Sequence, residues 1–183
     1  MKELLNFILS LLSNNKQNKE NEQITKKEIN EVAMEEKRPY LVTLKEIIGN
    51  TLIDSIPAEH RDNIYKLLDK INIVRYEYNK SMTVSSGYRS KEDHLRIYKE
   101  KAIKENKNFD ESKVPMGSKH LKGSAVDIYD PKQELQKWIK ENEGFLISTG
   151  LWIEDFKYTS NWVHFQCEPY GSYKEGKSIF FIP

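Results

Sequence analysis

The alternation of apolar and polar positions separates the chain into three stretches. Residues 1–12 carry a dense apolar run that includes Leu4, Leu5, Phe7, Ile8, Leu9, Leu11 and Leu12. Residues 13–37 are dominated by Asn, Gln, Lys and Glu and contain no aromatic side chain. Such a composition buries too little area to offset the entropy of ordering, so a polar flexible linker is expected there, with residues 38–183 as the folded domain. Within that domain, Thr43-x-x-Glu46 is a capping box opening a short helix. A longer helix follows, with Ser55 as its cap, Pro57 in its first turn, and Ile64, Leu67, Leu68 and Ile71 recurring at helical spacing to about Tyr78. Met82 to Ser86 reads as a strand and Gly87 as a turn. Ser90-x-x-Asp93 is a second capping box, opening a helix that carries Leu95, Ile97 and Tyr98. After a polar connection over 104–117, Ser124 to Ile128 reads as a strand. Asp130-Pro131 starts a helix with Leu135, Trp138 and Ile139 on one face. Gly150 to Phe156 and Asn161 to Gln166 flank a polar turn as a hairpin, and Lys177 to Ile182 is a candidate terminal strand. The sum predicts an α+β fold, helices packed on a small, mostly antiparallel sheet.

Composition narrows the function classes. The chain has 183 residues, with 29 basic and 28 acidic side chains interspersed to a net charge of +1. That balance argues against a nucleic-acid binder working by counterion release. The N-terminal apolar run is well short of the ~20 residues that cross a bilayer, so no transmembrane span is expected. Lys2 is offset by Glu3 and no small-x-small cleavage site follows, which disfavours a cleaved leader without excluding secretion. The run is read as a short apolar helix for contact with a partner or a membrane surface. One cysteine, Cys167, permits neither an internal disulfide nor a Cys-rich zinc site. At this length a core forms without metal, so any metal serves chemistry.

Four histidines limit where such chemistry can sit. His60 and His94 fall on predicted polar helix faces and are given no role. His120 precedes a turn at Gly123 and a strand that returns Asp127 toward it, and His164 lies on a strand between aromatic residues. Two imidazoles and one carboxylate are a usual ligand set for catalytic zinc with one position left open.

These residues sit in three ordered motifs: Val84-Ser-Ser-Gly-Tyr-Arg-Ser90, then Ser118-x-His120-x-x-Gly123-x-Ala125-x-Asp127, then Trp162-x-His164. Over about residues 40–168 the chain resembles the zinc D-alanyl-D-alanine carboxypeptidases and L-alanyl-D-glutamate endopeptidases. That group includes vancomycin-resistance dipeptidases and bacteriophage lysins, and shares its fold with the hedgehog signalling domain. The resemblance implies Zn2+ held by His120, Asp127 and His164, a substrate-binding and carbonyl-polarising Arg89, and Ser118 lining the site. It implies hydrolysis of a peptidoglycan stem peptide. With the single cysteine and no convincing leader, it suggests a bacteriophage lysis or virion enzyme found in the host cytoplasm or particle and acting on the cell wall.

One position departs from the pattern. Where family members often carry Glu or Asp, three residues before the last histidine, this chain has Asn161, which accepts no proton at neutral pH. If the hairpin turn centres near Thr159, Glu154 lies across from His164 on the same face and Asp155 faces away. Glu154 is therefore the first candidate for the base and Asp155 the second. The alternative is a non-catalytic, zinc-containing module that binds wall peptide or serves in the virion.

Overall fold

The computed structural model describes residues 41–167 and 178–183, and the apolar run and linker expected over 1–37 lie outside them. Five helices are described: α1 Leu44–Ile48, α2 Ala58–Tyr78, α3 Lys91–Lys104, α4 Glu134–Glu141 and α5 Glu143–Thr149. Five strands accompany them: β1 Thr83–Ser86, β2 Ala125–Tyr129, β3 Trp152–Glu154, β4 Trp162–Gln166 and β5 Phe180–Phe181. They form one sheet in the order β1-β2-β4-β3-β5. Its first three pairings are antiparallel and β3 with β5 is parallel. The α+β expectation holds.

Strand alternation gives the sheet two unlike faces. Val126, Ile128, Val163, Phe165 and Ile153 point to one face and are fully or almost fully buried. There they join Ile64, Leu67, Ile71 and Val74 of α2, and Leu135, Ile139 and Leu146 of α4 and α5, in one apolar cluster. Each such side chain contributes about 1.5–3 kcal/mol by leaving water. The intervening positions, Asp127, Tyr129, Trp162, His164 and Glu154, belong to the opposite face.

Local chemistry sets the boundaries. Thr43 and Glu46 close the full capping box on α1, with the Thr43 backbone amide donating to Glu46 Oε2 at 2.8 Å. The expected Ser55 cap does not form. Ser55 donates instead to Leu52 O inside a 3-10 turn, and Pro57 is the N-cap of α2 without a side-chain bond. Asp130-Pro131 does not start a helix directly either. Gln133 adopts a left-handed φ of 56°, and α4 begins at Glu134. Asp130 still acts on that helix at a distance, its buried Oδ2 accepting from Gln136 N at 2.9 Å. Helix α5, absent from the sequence-based expectation, ends at Gly150 in left-handed conformation. Its short apolar stretch runs straight into the strand that follows.

Two glycines set close approaches around the functional loops. A Cβ on Gly87 would collide with the Ile47 carbonyl at the end of α1, which accepts instead from Tyr88 N at 2.8 Å. Gly123 has φ +71°, and a Cβ there would meet Ile64 Cγ1 at 2.6 Å and His60 O at 2.7 Å. Asn63 of α2 adds a bond to Lys122 O at 3.1 Å. The turn before β2 is thus pressed directly onto α2. Gly123→Ala is expected to cost roughly 1–3 kcal/mol, combining left-handed strain with overpacking. Thermal unfolding followed by circular dichroism should show a melting temperature lower by several degrees.

Candidate metal centre

The register of the sheet builds the centre. β2 and β4 pair with Asp127 opposite His164, and β1 sets Ser86 opposite Asp127. In the β3–β4 ladder Trp152 faces Gln166 and Ile153 faces Phe165, so the next step along the hairpin sets Glu154 across from His164. Ser86, Asp127, His164 and Glu154 therefore stand in one transverse row on the face away from the core. Gln136 fixes this register from below: its Nε2 donates to Thr159 O at 2.6 Å and to Trp162 O at 3.1 Å, pinning the hairpin turn.

His120 reaches the row from the turn before β2. One nitrogen each from His120 and His164 and one oxygen from Asp127 lie within 4.8 Å of one another. His164 Nδ1 stands 2.7 Å from Asp127 Oδ1, and His120 Nε2 3.4 Å from Asp127 Oδ2. The far nitrogen of each ring meets a neutral acceptor. His120 Nδ1 donates to Gly87 O at 2.8 Å, and His164 Nε2 to Gln166 Oε1 at 3.3 Å. Those bonds orient both rings so that the other nitrogen of each is directed at Asp127. Burial pushes the Asp127 carboxyl up, but the hydrogen bonds and charges of His120 and His164 outweigh it and hold Asp127 well below the usual carboxylate range. A buried, ionised carboxylate between two imidazole nitrogens is a donor set that could hold a divalent metal ion with a position left open.

The other candidates flank the cluster. Arg89 Nε and Nη2 donate to Ser86 Oγ at 3.0 and 2.7 Å, and Nη2 lies 3.6 Å from Asp127 Oδ2. Arg89 N also donates to His120 O at 3.2 Å, which ties the arginine segment to the histidine turn. Ser118 is half-buried in the loop two residues before His120, and its carbonyl accepts from Leu121 N. The two candidate bases separate. Glu154 is half-buried beside the cluster: burial raises its pKa, His164 lowers it and the Asp127 charge raises it, leaving it above the ordinary value. Asp155 turns the other way, its Oδ1 accepting from Lys157 N at 2.9 Å, and lines a separate cavity with Gln133, Lys140 and Phe156. Asn161 is exposed at the start of β4, where its carbonyl accepts from Asp130 N.

Three contributions escaped the sequence reading. Gln166 and Ser86 hold His164 and Arg89, and the strand alternation that places them two residues after His164 and opposite Asp127 was the signal available. His94 was assigned to a polar helix face, yet it is buried, with Nε2 bonded to Pro115 O at 3.2 Å and its ring against Tyr98. Its i, i+4 relation to Tyr98 marks the inward face of α3. Cys167, its amide bonded to Ser124 O, packs at the edge of the core.

The chain that carries this His-Asp-His cluster, which could hold a metal ion, matches a known family. The sequence model of the VanY family, D-alanyl-D-alanine carboxypeptidase, matches residues 58–172, more than half of the chain. This is a family of peptidases that act on peptidoglycan, and the chain belongs to it. The matched segment contains every site residue named above. No curated protein and no solved structure matches the chain.

Gln166→Leu keeps the side-chain volume and removes the acceptor of His164 Nε2. It is expected to weaken the affinity of the centre for an added divalent metal ion about 10- to 100-fold, measured by competition with a chromophoric chelator.

Proposed function

We propose that the protein is a zinc carboxypeptidase that removes the terminal D-alanine from peptidoglycan stem peptides. The observation that carries this reading is the convergence of His120, Asp127 and His164 within 4.8 Å, with the remote nitrogen of each imidazole already bonded. Zinc held by these three residues supplies Lewis acidity toward water and the scissile carbonyl. The chain's own groups do the rest. The Glu154 carboxylate takes the proton released as water adds its hydroxyl to the carbonyl carbon. It then delivers that proton to the leaving nitrogen as the C–N bond breaks. Its raised pKa suits both halves of that transfer, because a base closer to neutrality also returns its proton more readily. Arg89, oriented by Ser86 Oγ, donates to the carbonyl oxygen as negative charge gathers there, and its guanidinium stays charged throughout. Ser118 lines the approach to the centre.

Asn161 supports a second reading, in which the acid position of the family is vacant and the domain binds wall peptide without cutting it. Elemental analysis and peptide hydrolysis decide between the two. About one zinc per chain, lost in His120→Ala, with free D-alanine released from a stem peptide, is the expected outcome. Cleavage between L-alanine and D-glutamate instead would reassign the bond, and zinc with peptide binding but no product would leave the binding module. Glu154→Gln should lower kcat about 10²- to 10⁴-fold with zinc content unchanged. Asp155→Asn should stay within about threefold of the unmodified protein, since surface substitutions away from a site have small effects. The reverse pattern would transfer the base to Asp155.

A further inference from the structure

The row that runs through Ser86, Asp127, His164 and Glu154 has a fifth position, on β5. The parallel ladder between β3 and β5 sets Phe181 beside Glu154 and Phe180 beside Ile153. Register therefore carries Phe181 to the face of Glu154 and His164, and Phe180 to the face of Ile153. Packing agrees with that division. Phe180 leans on the apolar core and meets the Phe156 ring at 5.2 Å between centroids. Phe181 is buried, at 6% exposure, yet stands outside the core cluster. Its ring centroid lies 6.0 Å from that of the His164 imidazole, at an interplanar angle of 77°. Two strand spacings, about 9.6 Å, separate β5 from β4, so the side chain leans inward past Glu154 to reach that ring. Main-chain bonds hold β5 in this register: Ile153 N donates to Ile179 O at 2.8 Å and Asp155 N to Phe181 O at 2.9 Å.

We infer that Phe181 is a positioning residue of the centre, its ring holding the His164 imidazole at the tilt that directs Nδ1 to Asp127. The inference deepens the zinc carboxypeptidase reading above and rests on it. Hydrogen bonds at both nitrogens fix the imidazole within its own plane, with Nδ1 2.7 Å from Asp127 Oδ1 and Nε2 3.3 Å from Gln166 Oε1. Tilting out of that plane is opposed by what packs against the ring. His120 stands there at 5.1 Å between centroids, and Phe181 at 6.0 Å. Edge-on contact is a favoured arrangement of aromatic rings, and a close-packed neighbour transmits little play. Phe181 lies outside residues 58–172, which match the family model, so this support comes from a segment the match does not include. Ile179 separates this role from simple anchoring of the strand. It is also buried on the β5 segment, but it belongs to the core cluster.

The test compares Phe181→Val, Phe181→Leu and Ile179→Ala in the full chain. Valine keeps strand propensity but cannot reach His164, whereas leucine retains more of the reach. Three readouts are taken: the order of the His164 ring by carbon relaxation in chelator-treated protein, competition for added zinc, and kcat and KM on a peptide ending in D-Ala-D-Ala. Phe181→Val is expected to lower the ring order, to weaken zinc binding about tenfold, and to lower kcat about tenfold with KM within about threefold. Phe181→Leu should recover zinc affinity to within about threefold of the unmodified protein. Ile179→Ala should lower the melting temperature by several degrees while ring order and zinc affinity stay unchanged. Unchanged ring order in Phe181→Val overturns the positioning role, as does an equal loss in Ile179→Ala. If the unmodified protein takes up no zinc or cuts no peptide, the carboxypeptidase reading fails separately and ring order decides. A fall confined to Phe181→Val then supports the role, and no fall overturns it.

Discussion

The pairing of β2 with β4 governs the rest of this molecule, because a strand has a period of two and its register admits no intermediate setting. With Asp127 opposite His164, Val126 and Phe165 fall on the apolar side and are fully buried. A slip by one residue would send Asp127 and His164 into the core and both apolar side chains into solvent. Stability and chemistry therefore select the same alignment. Asp130, just after β2, and Gln136 of α4 reinforce it through bonds to the backbone that enters β4, so the helix that caps the sheet also sets the depth of His164.

Around that alignment the centre is arranged to be ready for a cation. Burying a carboxylate costs several kcal/mol unless it is paired. Here the two imidazoles and the nearby guanidinium supply the pairing. The same contacts hold the donors close to where an ion needs them, which reduces the reorganisation that binding requires. Glu154 sits at the next position of the row, close enough for the charge of Asp127 to act on it, while Asp155 on the adjacent position is committed to the turn. Alternation alone distinguishes two neighbouring carboxylates.

Much of this was legible in the sequence. Hydrophobic spacing gave α2 and the buried side of the sheet, and three short motifs gave the convergence of His120, Asp127 and His164 with Arg89 beside them. The turn position near Thr159 was enough to rank Glu154 over Asp155. Less legible were features decided by more than one element. Ser55 looks like a cap, but a 3-10 turn uses its hydroxyl first. Asp130 looks like a helix start, but its carboxylate reaches the helix only after a left-handed residue intervenes. His94 sits among charged neighbours in sequence and is buried only because the 104–117 connection folds over α3 and offers the Pro115 carbonyl.

Gly87 gives His120 an anchor of an unusual kind. The group that orients the imidazole is a main-chain carbonyl, so no substitution can delete it, and neighbouring side chains can diverge without touching it. What the arrangement does not tolerate is a change in the path of the chain, since Gly87 rests on the Ile47 carbonyl with no room to move. Variation within this architecture should accordingly run through replacements, whereas an insertion or deletion between α1 and the segment leading to Arg89 would turn the ring away from its partners. Loop length, more than residue identity, sets the geometry at this corner of the site.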